Sequence, residues 1–383
     1  MSSYFVRRVG LATTMICLSV SAFSNVIGAG RAHTGAQQPI VQKGASDSER
    51  APVAGEGITK LHGAGATFPN PLYQKWFSDY NKEHPITKFD YQSIGSGGGI
   101  KQISSNAVDF GATDAPMTDA ELKAATGEVL HIPTVAGAVV VIYNVPGFGE
   151  SQVNLSGKTL ADIFLGNIKK WSDLKIADDN PGLALPEEDI IVVHRSDPSG
   201  TSQIFTDFLS KASSDWKQKV GAAMSVDWPA GVGAKGNTGV ADQTRESPNS
   251  IGYVDFIYAA QNRLPMAEVK GPDGAAVYPS VESITAAAAA ADIPADLRAS
   301  ITYAAAAGAY PVSAFTYVLV YRDQKNQSKG QALVNFLWWA IHDGQNAAPD
   351  MNYAPLPPDI VRMAEDKIRS ITYQGERFYI ESS

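Results

Sequence analysis

Residues 194–202, with the sequence HRSDPSGTS, form a segment rich in groups that can hold an anion. Arg195 can donate hydrogen bonds to two oxygens of an oxyanion at once, and Asp197 is close enough in the sequence to hold the guanidinium in place. The segment precedes a helix-like stretch, and the backbone N–H groups at a helix start lack partners. Three residues there add hydroxyl or backbone donors: Ser199, Gly200 and Thr201. The alternative interpretation is an Arg–Asp surface pair beside an ordinary helix cap.

Three further segments share this design, in which small or hydroxyl residues end a strand and precede a helix. They are GATF at 65–68, GSGGG at 95–99 and GATD at 111–114. Glycine lets a ligand approach the backbone closely, and a hydroxyl group adds a donor that can rotate toward a tetrahedral oxyanion. Each segment alone is typical of ordinary turns and caps, but four of them in one chain favour an anion site.

Asp114, at the end of the last of these segments, places a carboxylate where it would repel an anion. The arrangement makes sense if the ligand carries a proton that the carboxylate accepts. Phosphate keeps at least one proton near neutral pH and sulfate keeps none, so an ionised Asp114 would disfavour sulfate strongly. The sequence therefore favours phosphate over sulfate.

Patterns for other chemistries are incomplete. The sequence SGKT at 156–159 resembles the end of a P-loop, but Gln152 stands where that motif requires glycine. No Gly-x-Ser-x-Gly pattern of a serine hydrolase is present. Histidines occur without the spacing of metal ligands, at His62, His84, His131, His194 and His342. The sequence therefore predicts neither a metal nor another cofactor.

The composition is that of an ordinary soluble globular protein, with 44% hydrophobic and 18% charged residues in a chain of 383, a length that suits two domains. The formal net charge of -8 argues against nucleic acid or an anionic membrane surface as a partner, because either is usually met by a basic patch. Local groups must then attract an anionic ligand.

Residues 1–24 are predicted to be a secretory signal peptide. Arg7 and Arg8 precede an apolar run at 9–23, and a small-x-small pattern at 22–24 offers a cleavage site. The mature protein is therefore predicted to be exported and soluble.

The first part of the chain leaves alternatives open. The signal peptide could instead be cut after Ala32, kept as an anchor, or lipidated at Cys17, the one cysteine in the chain. Residues 33–56 are rich in Gly, Ala, Gln and Ser and lack apolar periodicity, which predicts a disordered tether. Folded structure is expected to begin near Gly57.

After Gly57, short apolar runs alternate with amphipathic stretches, which predicts an α/β fold with a mostly parallel sheet. A buried helix face is predicted after Pro71 from four residues at helical spacing: Leu72, Trp76, Phe77 and Tyr80. Strands are predicted at 136–143, 190–194, 251–253 and 310–321. Helices are predicted after a capping box at 118–121 and at 330–342, and the alanine-rich segments 286–291 and 304–307 are helix-prone.

Taken together, these segments closely resemble the periplasmic phosphate-binding proteins of phosphate ABC transporters, the PstS family. The resemblance covers nearly all of the mature chain, from Gly63 to about Ile360. An ordered set of motifs is far more specific than any one of them. The motifs are GAGATFP, YQSIGSGGGIKQI, VDFGATDAP, GKTLADIFLGNIKKW, VHRSDPSGTSQIF, SIGYV and YAPLP.

The resemblance implies a two-lobed type II periplasmic binding protein. In this α/β fold each lobe is a mostly parallel sheet flanked by helices, the ligand cleft lies between the lobes, and two chain crossings form the hinge. The first lobe would combine residues 57–136 and 310–383, and the second lobe would be residues 137–309.

The resemblance also implies a set of phosphate ligands, carried over motif by motif. The first lobe would contribute Thr67, Phe68 through its backbone N–H, Ser96 and Asp114. The second lobe would contribute Arg195, Ser199, Gly200 and Thr201. Asp197 would orient Arg195, and the family uses no metal. Two positions depart from the family: Pro198 stands where many relatives have glycine or glutamate, and Gly97 replaces a common serine.

The function that the resemblance implies is high-affinity binding of inorganic phosphate in the periplasm and its delivery to the membrane permease of a phosphate ABC transporter. The protein would be a monomer and not an enzyme. Two alternatives are a secreted phosphatase on the same scaffold and a binding protein for another oxyanion, such as sulfate or molybdate. A phosphatase needs an activated nucleophile or a metal site, for which the sequence gives no clear sign, and Asp114 argues against sulfate.

Overall fold

The structure, a computed structural model, describes residues 57–148 and 152–380. The predicted signal peptide, Cys17 and the predicted tether lie outside the described residues. The strands, numbered β1 to β14 in chain order, are Thr59–Gly65, Thr87–Ser93, Phe110–Thr113, Val129–Asn144, Asn154–Ser156, Ile191–Arg195, Val232–Ala234, Ser250–Asp255, Glu268–Lys270, Ala276–Val277, Ser313–Tyr321, Asp323–Gln324, Thr372–Tyr373 and Glu376–Arg377. The α-helices, α1 to α12, are Asn70–Glu83, Ser96–Ser104, Asp119–Ala124, Gly157–Phe164, Leu174–Asp179, Gly200–Ala212, Ser214–Lys219, Gly236–Glu246, Phe256–Gln261, Val281–Ala289, Gln327–Ile341 and Pro358–Arg369.

The largest sheet has eight strands in the order β2-β1-β3-β11-β4-β8-β6-β7. Strand β4 changes partner along its length, because residues 129–138 pair with β11 and residues 139–144 pair with β8. We call β2, β1, β3 and β11 the first half of the sheet, and β8, β6 and β7 the second half. Strands β1, β2 and β3 are parallel to one another, as are β6, β7 and β8. The predicted α/β architecture is confirmed. Its outer strand pairs are parallel, whereas the central strands β11 and β4 pair antiparallel with each other and with their neighbours.

Helix α1 covers the first half of the sheet with the face that the sequence predicts. Its buried residues include the four predicted ones. Trp76 is fully buried, and its indole N–H donates to Gly344 O at 2.7 Å. Phe77 stacks on Phe89 of β2, with ring centroids 4.4 Å apart. This aromatic packing holds α1 against the first half of the sheet.

The capping box and the four other predicted strands are confirmed, with shifts of their ends. The capping box of Thr118 and Glu121 is present at the start of α3. The predicted strands correspond to β4, β6, β8 and β11, although β4 begins earlier, at Val129, and β11 begins later, at Ser313. Within the described ranges, no helix has both the length and the apolar character needed to cross a membrane.

The alanine-rich segment 304–307 is not helical, so the helix propensity there is misleading. The stretch just before it is held by long-range contacts. Arg298 Nη1 donates to Met117 O at 2.9 Å, and Lys211 Nζ donates to Thr302 Oγ1 at 2.7 Å. A run of four alanines is too short to form a stable helix through its propensity alone. The segment 286–291 is helical only as far as Ala289.

Candidate oxyanion-binding site

The residues predicted for the site lie at the carboxyl ends of strands in both halves of the sheet, the edge at which open α/β sheets bind ligands. Thr67 and Phe68 lie between β1 and α1, Ser96 is the first residue of α2, and Asp114 directly follows β3. In the second half, Arg195 is the last residue of β6. The remaining predicted residues surround the start of α6: Ser199, Gly200 and Thr201.

Arg195 and Asp197 form a buried, bidentate ion pair. Arg195 Nε donates to Asp197 Oδ1 at 2.8 Å and Nη2 donates to Oδ2 at 2.5 Å, while only 1% of the arginine side chain is exposed. Arg195 Nη1 donates to Thr201 Oγ1 at 3.3 Å. Burial raises the pKa of Asp197, but the hydrogen bonds and charge of Arg195 outweigh it and leave the pKa below its usual value. The carboxylate therefore stays ionised and fixes the guanidinium.

Helix α6 begins beside this ion pair. Ser199 is its N-cap, because the hydroxyl oxygen accepts a hydrogen bond from Ser202 N at 3.1 Å. The backbone N–H of Ser199 donates to Met224 O at 2.9 Å, so the group that Ser199 can offer a ligand is its hydroxyl. The N–H groups of Gly200 and Thr201 lie in the first turn, where an α-helix provides no acceptor.

The Asp114 carboxyl lies in the same cluster and is buried. Ser96 Oγ donates to Asp114 Oδ2 at 3.1 Å, and Thr316 Oγ1 donates to Oδ1 at 2.8 Å. Burial raises the pKa of Asp114 to about 7, because it outweighs the opposing effect of these hydrogen bonds and of Arg195. A carboxyl group with this pKa can share a proton with a ligand near neutral pH.

The two halves of the sheet meet closely at the site. A Cβ on Gly200 would lie 2.4 Å from Ser96 Oγ and 2.7 Å from Asp114 Oδ2. Gly95 has a φ of +88°, and a Cβ on it would lie 2.8 Å from Pro198 O. Only glycine fits at these two positions, and the approach brings the predicted residues of both halves into one cluster.

Two tyrosines hold the turn that carries Thr67 and Phe68. Tyr258 OH donates to Thr67 O at 2.7 Å, and Tyr353 OH donates to Phe68 O at 2.6 Å. The Phe68 ring is fully buried and packs against Tyr353 and Gly137. Because both carbonyl groups are anchored, the turn is held in place and can present the Thr67 hydroxyl and the Phe68 N–H to a ligand.

Asn237 contacts the site, and the sequence analysis missed it. Its Nδ2 donates to Thr67 Oγ1 at 2.9 Å and to Thr201 Oγ1 at 3.4 Å. Asn237 is the second residue of α8, after Gly236, and lies three positions beyond the end of β7, so it has the same strand, glycine and helix-start pattern as the four segments above. That pattern could have identified it.

Two other contacts have no local sequence signal. Thr316 hydrogen-bonds Asp114, and Tyr253 OH accepts a hydrogen bond from Arg195 N at 3.1 Å. Both residues are buried in strands, where threonine and tyrosine are common. Their role is visible only once distant strands are brought together.

Gly97 and Pro198, the two positions that the sequence analysis expected to differ from relatives, contact each other. Gly97 N donates to Pro198 O at 3.4 Å, and a Cβ on Gly97 would lie 2.6 Å from Pro198 Cβ. A serine at position 97 would therefore collide with this proline. This contact joins the start of α2 in the first half of the sheet to the segment before α6 in the second half.

A divided α/β sheet with anion donors where its halves meet is the architecture of a solute-binding protein. In agreement, a model of the PBP superfamily domain matches residues 44–343. Phosphate-binding protein PstS of Xylella fastidiosa (strain Temecula1) is 44% identical over 309 residues, which cover 80% of this chain and 84% of that protein. The PstS protein of Haemophilus influenzae is 44% identical over 303 residues, which cover 79% and 90%. The chain belongs to the PstS family of phosphate-binding proteins.

Solved structures agree with this fold. A high-affinity periplasmic phosphate-binding protein (PfluDING) bound with phosphate has a TM-score of 0.65 and 21% identity, and the match covers 80% of this chain and 93% of that one. A phosphate-binding protein from Stenotrophomonas maltophilia has a TM-score of 0.62 and 22% identity, with the same coverage. At these identities the likeness concerns the fold alone, which is that of two-lobed phosphate-binding proteins.

Proposed function

We propose that this protein is a receptor that binds inorganic phosphate between its two lobes and delivers it to the membrane permease of a phosphate ABC transporter. One observation carries the proposal: hydroxyl, backbone N–H and guanidinium donors converge with the buried carboxyl group of Asp114. That carboxyl suits an oxyanion that carries a proton. The relatives named phosphate-binding proteins support the same ligand. In this role the protein holds its ligand unchanged and is not an enzyme.

Each lobe would contribute part of the phosphate site. The first lobe supplies Thr67, the Phe68 N–H, Ser96 and Asp114. The second lobe supplies Arg195, Ser199, Gly200 and Thr201. Support comes from the short distances within this set, such as Ser96 Oγ to Asp114 Oδ2 at 3.1 Å and Arg195 Nη1 to Thr201 Oγ1 at 3.3 Å. On binding, the Ser96 hydroxyl would stop donating its hydrogen bond to Asp114 and would donate it to a phosphate oxygen instead.

We assign residues 57–136 and 310–383 to the first lobe and residues 137–309 to the second. The change of partner along β4 supports this division. Near it, Val139 N donates to Val312 O at 2.9 Å, so the two chain crossings lie side by side. Contacts from both lobes to one ligand exist together only in the closed state, so phosphate would favour closure of this hinge.

The place of action follows from the sequence and the relatives. The predicted signal peptide, residues 1–24, would export the chain to the periplasm, and residues 33–56 would form a tether ahead of the folded part. There the protein would act as a monomer that carries phosphate to the permease.

Calorimetric titration of the purified protein with phosphate, sulfate and arsenate tests the ligand. We expect tight phosphate binding and no displacement of phosphate by a large excess of sulfate. Sulfate that competes as well as phosphate does would overturn the assigned role of Asp114. A second test is incubation of the purified protein with a chromogenic phosphate ester. Hydrolysis at a rate proportional to the protein concentration would overturn the receptor function in favour of a phosphatase.

Gly97→Ser is expected to weaken phosphate binding roughly 5- to 150-fold, because the new side chain meets Pro198 only when the lobes close. Adding Pro198→Gly should restore most of the affinity. Gly239→Ser is the matched control, since a Cβ on this helical glycine would lie 3.5 Å from its nearest neighbour, Ala234. Equal affinity of the parent and the Gly97→Ser variant would mean that the bound state does not contain this contact.

A further inference from the structure

Asn237 is fully buried, and it hydrogen-bonds one site residue from each half of the sheet. We infer that Asn237 is a positioning residue, whose amide turns the hydroxyl protons of Thr67 and Thr201 toward the bound oxyanion. The inference rests on the proposed function, because it concerns how the same site holds phosphate. It adds a residue outside the set of phosphate ligands.

The orientation of the Asn237 side chain follows from its neighbours. Asp255 N donates to Asn237 Oδ1 at 3.0 Å. A backbone N–H can only donate, so the atom that faces it must be the amide oxygen. The amide nitrogen, with its two hydrogens, therefore faces the two threonines.

Thr201 shows most directly what this amide does. Its hydroxyl oxygen accepts a hydrogen bond from Asn237 Nδ2 at 3.4 Å and another from Arg195 Nη1 at 3.3 Å. A hydroxyl group has two acceptor lone pairs and one proton. With both lone pairs occupied, the Thr201 hydroxyl can act only as a donor to a further group, and a donor is what an oxyanion needs.

Thr67 receives the shorter of the two bonds from Asn237, at 2.9 Å. This bond joins the halves of the sheet, because Thr67 follows β1 and Asn237 follows β7. It can therefore form only when the lobes are closed. Closure and the alignment of the Thr67 hydroxyl are coupled through one side chain.

The neighbouring backbone ties Asn237 to the ion pair. Gly236 N donates to Asp197 Oδ1 at 2.9 Å, and this oxygen also accepts from Arg195 Nε. Any shift of the start of α8 would move both the guanidinium and the amide. A purely structural role for Asn237 would need only the bond from Asp255, so the bonds to the two hydroxyls are what the test must address.

The first measurement is the phosphate Kd of Asn237→Leu, which keeps a similar volume and removes both donors. We expect it to bind phosphate roughly tenfold to hundredfold more weakly than the parent. Asn180→Leu is the matched control, because Asn180 is a buried asparagine whose amide bonds Asn154 and Ile176 elsewhere in the fold. It should lower the Tm and leave the phosphate Kd unchanged.

A double-mutant cycle separates positioning from general damage. If Asn237 acts through the hydroxyl of Thr67, Asn237→Leu should weaken phosphate binding by a much smaller factor in a Thr67→Val background than in the parent. Additive losses would overturn the inference. So would parental affinity in Asn237→Leu while the parent itself binds phosphate. Failure of the parent to bind phosphate would instead reject the proposed function.

Asn237→Asp keeps the shape of the side chain, and it provides a second test if Asn237→Leu does not fold. An ionised carboxylate at this position accepts the hydroxyl protons and repels the anion, whereas a protonated carboxyl can donate one hydrogen bond. Phosphate binding by this variant, relative to the parent at the same pH, should therefore improve as the pH is lowered. A ratio that does not change with pH would contradict the positioning role.

Discussion

Replacing Arg195 with alanine is expected to weaken phosphate binding by about 3–5 kcal/mol, which is roughly a 10²- to 10⁴-fold rise in Kd. The variant loses a buried guanidinium that can form charge-assisted hydrogen bonds with phosphate. It also leaves Asp197, with a side chain only 11% exposed, as an unpaired negative charge beside the bound anion. Titration calorimetry with phosphate measures the loss directly.

Measurements on three further variants show which property of Arg195 accounts for that loss. Arg195→Lys keeps the charge but not the fork that engages Asp197, and it should fall between the parent and Arg195→Ala. Adding Asp197→Asn to Arg195→Ala should recover part of the affinity, since it removes the unpaired charge. Arg245→Ala, which breaks an exposed ion pair with Asp242, should bind phosphate like the parent. Near-parental affinity in Arg195→Ala would make Arg195 a structural residue and remove it from the proposed site.

The sequence predicted the parts of the site that are built locally. Ser199, Gly200 and Thr201 belong to one helix start, and their donors follow from the geometry of any helix N-terminus. The surrounding elements were predictable for the same reason, because the face of α1 and the capping box of Thr118 depend on residues a few positions apart.

The sequence did not reveal partners that depend on the tertiary fold. Thr316 meets Asp114 across 202 positions, and Asn237 meets Thr67 across 170. A threonine in a strand has no local sign of such a role, because strands favour β-branched residues for packing alone. The alanine-rich segment 304–307 is not helical for another reason, because helix propensity is too weak to form a helix in so short a run.

At about pH 9, roughly two units above the pKa of Asp114, Asp114→Asn is expected to bind sulfate roughly 10²-fold more tightly than the parent, and to lose less affinity for phosphate than it gains for sulfate. An ionised Asp114 repels sulfate, which has no proton to offer, whereas the asparagine amide can donate a hydrogen bond to it. Titration with each anion measures the two changes. Asp179→Asn is the matched control, because Asp179 hydrogen-bonds Ser156 and Lys270 instead of site residues, and it should leave both affinities as they are.

The pH dependence of sulfate binding tests the same carboxyl group without a substitution. Burial raises the pKa of Asp114 to about 7, so the group is mostly ionised above that pH and mostly protonated below it. Its protonated form can donate to sulfate as asparagine does, and the parent should therefore bind sulfate more tightly as the pH falls through about 7. Asp114→Asn has no proton to gain at this position, so its sulfate affinity should change much less over the same range. Parallel pH profiles for the two proteins would show that Asp114 does not set the choice between the two anions.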